Sequence, residues 1–237
     1  MSTPETNGSR RSHVGSQTLA RGLRALIAVV ESPDGMTVQR LAAELGVHRS
    51  IAYRILQTLV DFGFVTHGAD GAYWPGSRLA GLSTAYLPTL RTTAAPVMRR
   101  LADEVGCMVS LFVAEGREAV SIELVEPLTV THHIAFRAGM RTPLDRGAAG
   151  YALLASMPPA AGEPDAVARA RAAGYATSAG EVEAGAFAIA APIADVHPPA
   201  ALSIMSHREA QVLAAREHIV RAVAEIAAAA ASPAGRA

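Results

Sequence analysis

The stretch ELGVHRSIAYRILQTLVDFGFV, residues 44–65, decides how this chain is read. Ile51, Ile55, Leu56 and Leu59 recur at helical spacing and mark the inward stripe of a helix over 48–61, closed by Gly63. The remaining faces carry His48, Arg49, Ser50, Tyr53, Arg54 and Gln57. Two arginines on an isolated helix are ordinarily just a solvated face. What gives them weight is the order of the elements around them.

Upstream, Leu19, Leu23, Leu26, Ile27 and Val30 recur at helical spacing over 16–32, with Ser16 as N-cap and SPDG (32–35) as the stop; apolar positions of 17–31 and 77–90 beyond what a small three-helix core needs are assigned to dimerisation. Thr37 caps a second helix, with Val38, Leu41, Ala42 and Leu45 inward, and Gly46 ends it. Downstream, FVTHGADGAYW alternates around a Gly-Ala-Asp-Gly turn and predicts a two-stranded hairpin. Helix, helix, short glycine turn, helix, hairpin is the order of a winged helix-turn-helix, whose third helix enters the DNA major groove. His48 and Arg49 then sit at the reading end, and Arg49 suits a bidentate grip on guanine or a phosphate clamp. Ser50 and Tyr53 offer hydroxyls to phosphate, and Arg54 reaches toward a flanking one. His67 in the wing and Arg78 after it can touch the backbone, and the helix start at Thr37 can offer N–H groups.

Charge supports this division. The formal net charge is zero, and all 21 basic residues are Arg. Residues 1–91 carry nine Arg and six acids, a balance of +3, so the remainder carries −3. Cys107 is the only cysteine, which excludes an internal disulfide and suits a reducing cytosol. No apolar run reaches the roughly 18 residues of a membrane helix. The polar start, 1–15, reads as a disordered arm, and AEIAAAAASPAGRA as a helix fraying into a tail at 232–237.

GSRLAGLSTAYLPTL predicts a linker helix over 77–91, with Leu79, Leu82 and Tyr86 along it and Pro88 bending or ending it. RTTAAPVMRRLADEVG resumes a helix with Pro96 in its first turn. From Cys107 the period changes to two. CMVSLFVA and AVSIELVE make a hairpin, and LTVTHHIAFRAG a third strand, with His132 and Phe136 on one face and His133 on the other. RGAAGYALLASM and PDAVARARAAG are helices, the second closed by Gly174; further strand lies in YATSAGEVEAGAFAIAAPIAD and AALSIM. Ser206 and Glu209 form a capping box for a long last helix, with Val212, Leu213, Ile219, Val220, Val223 and Ile226 inward. Strands with segregated helices over 92–231 argue an α+β domain.

In this order, SQTLARGLRALIAVV, MTVQRLAAELGVHRSIAYRILQTLVDFGFV, AGMRTPLDRGAAGYALLAS, ARAAGYATSAGEVEAGAFAIAAPIAD and AALSIM resemble the IclR-type transcriptional regulators over roughly residues 16–230. The resemblance implies a mostly α winged helix-turn-helix N-terminal domain at 16–76 plus an α+β, GAF-like effector domain. It also implies a homodimer or homotetramer, on which two reading helices face a near-palindromic double-stranded operator. The family commonly has Pro where this chain has His48. It commonly has a His and a Gly-Lys pair where LDRGAAGYA offers Asp145 and Gly150-Tyr151.

The same resemblance places an effector against Ala148, Ala149, Ala186, Ala188 and Ser203, with Ser178 opposite. His132 and Phe136 are expected to close the cavity. GAAG (147–150) keeps a helix start free of bulk, with N–H donors open to a carboxylate, and small apolar walls fit an organic acid or aromatic-like ligand. Glu181 and Glu183 fall in a turn and read as solvated. No metal spacing, phosphate loop, dinucleotide fingerprint or nucleophile elbow occurs, so no cofactor and no enzyme activity are expected. The leading expectation is a cytoplasmic, effector-controlled DNA-binding regulator. The rival readings are a DNA-binding module fused to a ligand-free protein-interaction domain, and a metabolic enzyme with a fused helical domain.

Overall fold

Ser16 begins the first helix, its hydroxyl accepting from Leu19 N at 3.3 Å, and α1 runs Gln17–Glu31. In this computed structural model, which describes residues 15–128 and 137–231, the chain divides into two units between Tyr86 and Leu87. In the first, α2 (Val38–Leu45) starts at Thr37, whose Oγ1 accepts from Arg40 N, and ends at Gly46 in the left-handed conformation. After it come α3 (Arg49–Asp61) and a wing of antiparallel β1 (Val65–His67) and β2 (Tyr73–Pro75). Met36 exchanges both backbone hydrogen bonds with Tyr73, which anchors the wing to the α1–α2 turn. Gly76 permits the close return of the chain: a Cβ there would lie 2.2 Å from Gly63 O.

The core of this unit is small and leaves part of the apolar surface of α1 outside it. It centres on Ala25, Val29, Met36, Leu41, Ala52, Leu56, Val65 and Tyr73. Of the α1 apolar positions, the excess of which is assigned to dimerisation, Leu19, Leu23, Ile27 and Val30 are 63, 53, 55 and 48% exposed. Ala25, Ala28 and Val29, close to the opposite side of the helix, are buried instead. Small residues let α1 approach its neighbours closely, so the larger apolar face is the one left outside. Ile51, expected inward, is 39% exposed, and Ala52 takes its place in the core.

The predicted linker helix over 77–91 is divided. α4 spans Arg78–Thr84 and buries nothing; Leu87 then turns left-handed (φ 47°) and α5 (Pro88–Val105) begins with Pro88. Pro96 therefore stands well inside α5 rather than in a first turn.

In the second unit, β3 (Met108–Glu115), β4 (Glu118–Val125), β5 (Arg141–Pro143), β6 (Ala176–Ala179), β7 (Phe187–Ile193) and β8 (Ala200–Ser206) form an antiparallel sheet. Its order is β5-β4-β3-β8-β7-β6. Strand parity divides the core in two. Val109, Leu111, Val113, Ile189, Ala191, Leu202 and Ile204 pack with α5, α8 (Glu209–Ala214) and α9 (Arg216–Ala231). Met108, Phe112, Ala188, Ala190, Ala201 and Met205 face the other way, toward α6 (Gly147–Ala155) and α7 (Asp165–Ala173). Gly150 lets α6 come down tightly, since a Cβ there would lie 2.4 Å from Leu144 O.

The end of the chain departs from expectation. Ser206 Oγ accepts from Arg208 N and donates to Gln211 Oε1, so it makes a local turn rather than a capping box with Glu209. The helix is broken at Ala215 into α8 and α9. The break rotates the stripe, burying Val212, Ile219, Val223 and Ile226 while Leu213 and Val220 stay exposed. Most of the expected strand LTVTHHIAFRAG, including His132, His133 and Phe136, lies outside the described residues.

Candidate functional site

His48 is the N-cap of α3: its Nδ1 accepts from Ser50 N at 3.3 Å and lies 2.9 Å from Ser50 Oγ. An imidazole thus takes the capping role usually filled by a short hydroxyl or carboxylate side chain. Beside this cap Arg49, Ser50, Tyr53 and Arg54 are all exposed, Tyr53 by 50%. Arg49 and Arg54 have no carboxylate partner among the described residues, so their donors are open to phosphate or base acceptors. Gln57 is half-buried and donates to Tyr73 Oη at 3.3 Å, so it braces the wing rather than joining the exposed face.

His67, at the exposed end of β1, rests edge-on against the Tyr73 ring at 4.7 Å. Arg78 sits over the Phe64 ring at 5.9 Å. Thr37 is exposed at the start of α2 but spends its hydroxyl on the helix cap. The N-terminal unit therefore gathers His48, Arg49, Ser50, Tyr53 and Arg54 along one helix end, with Thr37 and His67 on separate elements.

In the second unit a recess lies between α6 and the sheet. Its cavity is small, about 30 Å³, opening into a wider mouth. Ala148, Ala149, Ser178, Ala186, Ala188 and Ser203 all line it, together with Phe112, Thr142 and Met205. Strand parity explains the grouping: Phe112, Ala188, Ser203 and Met205 point to the α6 side of three neighbouring strands.

The mouth differs from the expected open helix start. Ala148 N donates to Ser178 Oγ at 2.9 Å, and Gly147 N donates to Glu181 Oε2 at 2.9 Å. Tyr151 Oη donates to the same carboxylate oxygen at 2.6 Å. Glu181 is therefore half-buried and bonded, not solvated. Burial first, and the Glu181 carboxylate second, push the Tyr151 phenol up to about 12. Sequence reasoning missed Glu181 as a member of this site. Its partners lie about thirty residues away, and no local pattern announces such a pairing.

The first unit thus has the winged helix-turn-helix order with exposed arginines at one helix end, and the second is an α+β unit with a walled recess. Residues 18–68 match the IclR helix-turn-helix domain, and residues 85–163 match the bacterial transcriptional regulator IclR C-terminal domain. The chain belongs to the IclR family of bacterial transcriptional regulators. It is 29% identical over 145 residues to the HTH-type transcriptional regulator KipR of Bacillus subtilis, covering 60% of this chain and 57% of that protein. It is 27% identical over 146 residues to the transcriptional repressor IclR of Escherichia coli, covering 60% and 53%. The chain thus spans about half the length of the curated relatives it matches. A solved IclR homolog from Microbacterium hydrocarbonoxydans, complexed with 4-hydroxybenzoate, superimposes with a TM-score of 0.77 at 26% identity, over 90% of this chain and 98% of that one.

Proposed function

We propose that this chain is a transcriptional regulator that binds double-stranded DNA through the N-terminal end of α3 and whose operator affinity is set by a small organic acid held in the α6 recess. The observation that carries the DNA half is the set of exposed, unpaired Arg49 and Arg54 flanking Tyr53 beside a wing. Arg49 reads a base edge or clamps a phosphate, Ser50 and Tyr53 position on phosphate, and Arg54 and His67 hold the flanks. The helix start at Thr37 contributes backbone donors.

One such helix covers too few base pairs for a specific site. The exposed stripe Leu19, Leu23, Ile27 and Val30 supplies an apolar face for a second copy, giving a homodimer or a tetramer built from dimers. Two reading helices roughly 34–36 Å apart, or a multiple of this, match a near-palindromic operator. No described helix is long and apolar enough to cross a membrane, in keeping with action on DNA in the cytoplasm.

The recess lined by Ala148, Ala149, Ser178 and Ser203 favours the ligand half over a ligand-free interaction domain, with Phe112, Val182 and Met205 closing in on it as walls. Its apolar lining by Phe112, Ala188 and Met205, with hydroxyls at Thr142, Ser178 and Ser203, suits an organic acid with an aromatic or short apolar body. A relative bound to 4-hydroxybenzoate is in line with that class. A ligand favouring one dimer arrangement by roughly 1–3 kcal/mol changes operator affinity about 5- to 150-fold.

A thermal-shift screen of aromatic and aliphatic acids, followed by footprinting on the DNA upstream of the gene, tests this reading. An acid that raises the melting temperature and alters the footprint supports it. Acids that stabilise the protein while leaving every footprint unchanged count against the coupling.

A further inference from the structure

The turn between β6 and β7 is bracketed by Gly180 (φ 65°) and Gly185 (φ 75°), both in the left-handed region. Between them Glu181 places its carboxylate on Gly147 N and Tyr151 Oη, while Arg146 Nη2 donates to the Glu181 backbone oxygen at 2.7 Å. Val182 leans over Gly147, where a Cβ would meet its Cγ2 at 2.6 Å. The first N–H of α6 is therefore already holding a carboxylate, and it belongs to the protein.

Deeper in the recess the balance is reversed. Ser203 and Thr142 are 3% and 9% exposed and line the cavity. Among the described residues their hydroxyls make no side-chain hydrogen bond. Neither hydroxyl is among the fully enclosed polar atoms left without a partner, so both are open to the recess, where water or the polar group of a ligand can meet them. The mouth is satisfied from within, while the hydroxyls of Ser203 and Thr142 remain free to meet a ligand.

We infer that Glu181 is a built-in competitor for the organic-acid ligand: the ligand enters by exchanging its carboxylate for that of Glu181 at the α6 N-terminus, and so frees the 181–184 turn. This rests on the ligand-binding reading above. The exchange is like for like, with Gly147 N–H and Tyr151 O–H donating to the incoming carboxylate while Ser203 and Thr142 meet its polar far end. Two carboxylates cannot share these donors, because like charges at contact distance in a half-buried site repel strongly. The bonds Glu181 gives up to Gly147 N–H and Tyr151 O–H are remade by the incoming carboxylate, and its turn, between two glycines at the mouth, lets the side chain swing to water. The ligand's apparent affinity is lowered by the fraction of molecules in which Glu181 is docked.

The test uses the full chain with propionate, which matches the end of a glutamate side chain, as probe. Thermal unfolding of wild type, Glu181→Ala and Glu181→Gln is followed against propionate, with propionamide and sodium chloride as controls. Propionate is expected to stabilise Glu181→Ala at concentrations about tenfold lower than wild type needs, with propionamide and chloride inactive. Glu181→Gln, which keeps the side-chain shape, is expected to fall between the two and guards against misfolding of the alanine variant. Equal propionate responses in all three proteins, or a weaker response in both folded variants, would overturn the exchange. Loss of the regulator reading has a different signature, namely wild-type protein that ignores DNA whatever propionate does to Glu181→Ala.

Discussion

Gln57 Nε2 donates a hydrogen bond to Tyr73 Oη at 3.3 Å, tying the middle of α3 to the second strand of the wing. Tyr73 is buried, pairs its backbone with Met36 and supports the His67 ring. One side chain thus fixes the spacing between the reading helix and the wing. Tyr73→Phe removes the hydroxyl alone and is expected to cost about 0.5–1.5 kcal/mol of stability. Urea unfolding measures that loss, and DNA affinity is expected to fall with it; an unchanged midpoint would show that the bond is not held in solution.

Arg49→Ala and Arg54→Ala are expected to leave stability nearly unchanged, since both side chains are exposed and unpaired. Operator binding is where they differ. If Arg49 reads a base, its loss costs about 1–3 kcal/mol and relaxes the preference at one position of the site. If Arg54 meets phosphate, its loss weakens all sequences alike and lowers the salt slope by about one. Fluorescence anisotropy across a salt series separates the two roles.

Leu23→Glu and Ile27→Glu place charges in the exposed stripe of α1, on the side of the helix away from Ala25 and Val29. Each is expected to shift the protein toward monomer in sedimentation velocity while keeping its helical circular dichroism. A variant that stays fully assembled would move the dimer contact elsewhere.

The two kinds of apolar surface explain what was legible in the sequence. Period and turn chemistry identified helices and wing, because Ser16, Thr37, Gly46 and Gly63 are local signals that act locally. Periodicity found more apolar positions on α1 than a small core needs, and it is Leu19, Leu23, Ile27 and Val30 that stay exposed, while which positions the core takes, Ala25, Ala28 and Val29, was not legible from spacing. The last helix was misread for a related reason. Ser206 and Glu209 have capping-box spacing, yet the hydroxyl reaches Gln211 and the chain bends at Ala215, turning Leu213 and Val220 outward. In the recess, small residues at 148, 186 and 188 were legible by resemblance as walls. Glu181 was not, because a carboxylate in a turn gains its partners only when α6 and the β6–β7 turn are brought together.

Tyr151 gives the recess a pH signature. Its phenol is pushed up to about 12 by burial and by the Glu181 carboxylate, from an ordinary value of 10.0. The folded state therefore favours the neutral, donating form. That contribution is complete below about pH 10 and is lost as pH rises toward 12. Tyr151→Phe is expected to unfold more easily at neutral pH, since the bond to Glu181 is gone, but to show a shallower decline across pH 10–12. Denaturant midpoints of both proteins over that interval check the sign.

The central claim is that the exposed end of α3 recognises DNA. Footprinting of the full chain at low salt on the DNA upstream of its gene, with Arg49→Ala alongside, tests it most directly. The account predicts two protected half-sites one helical turn or a multiple apart, lost or relaxed at one base position in the variant. Uniform weak protection, identical for wild type and Arg49→Ala, would contradict it.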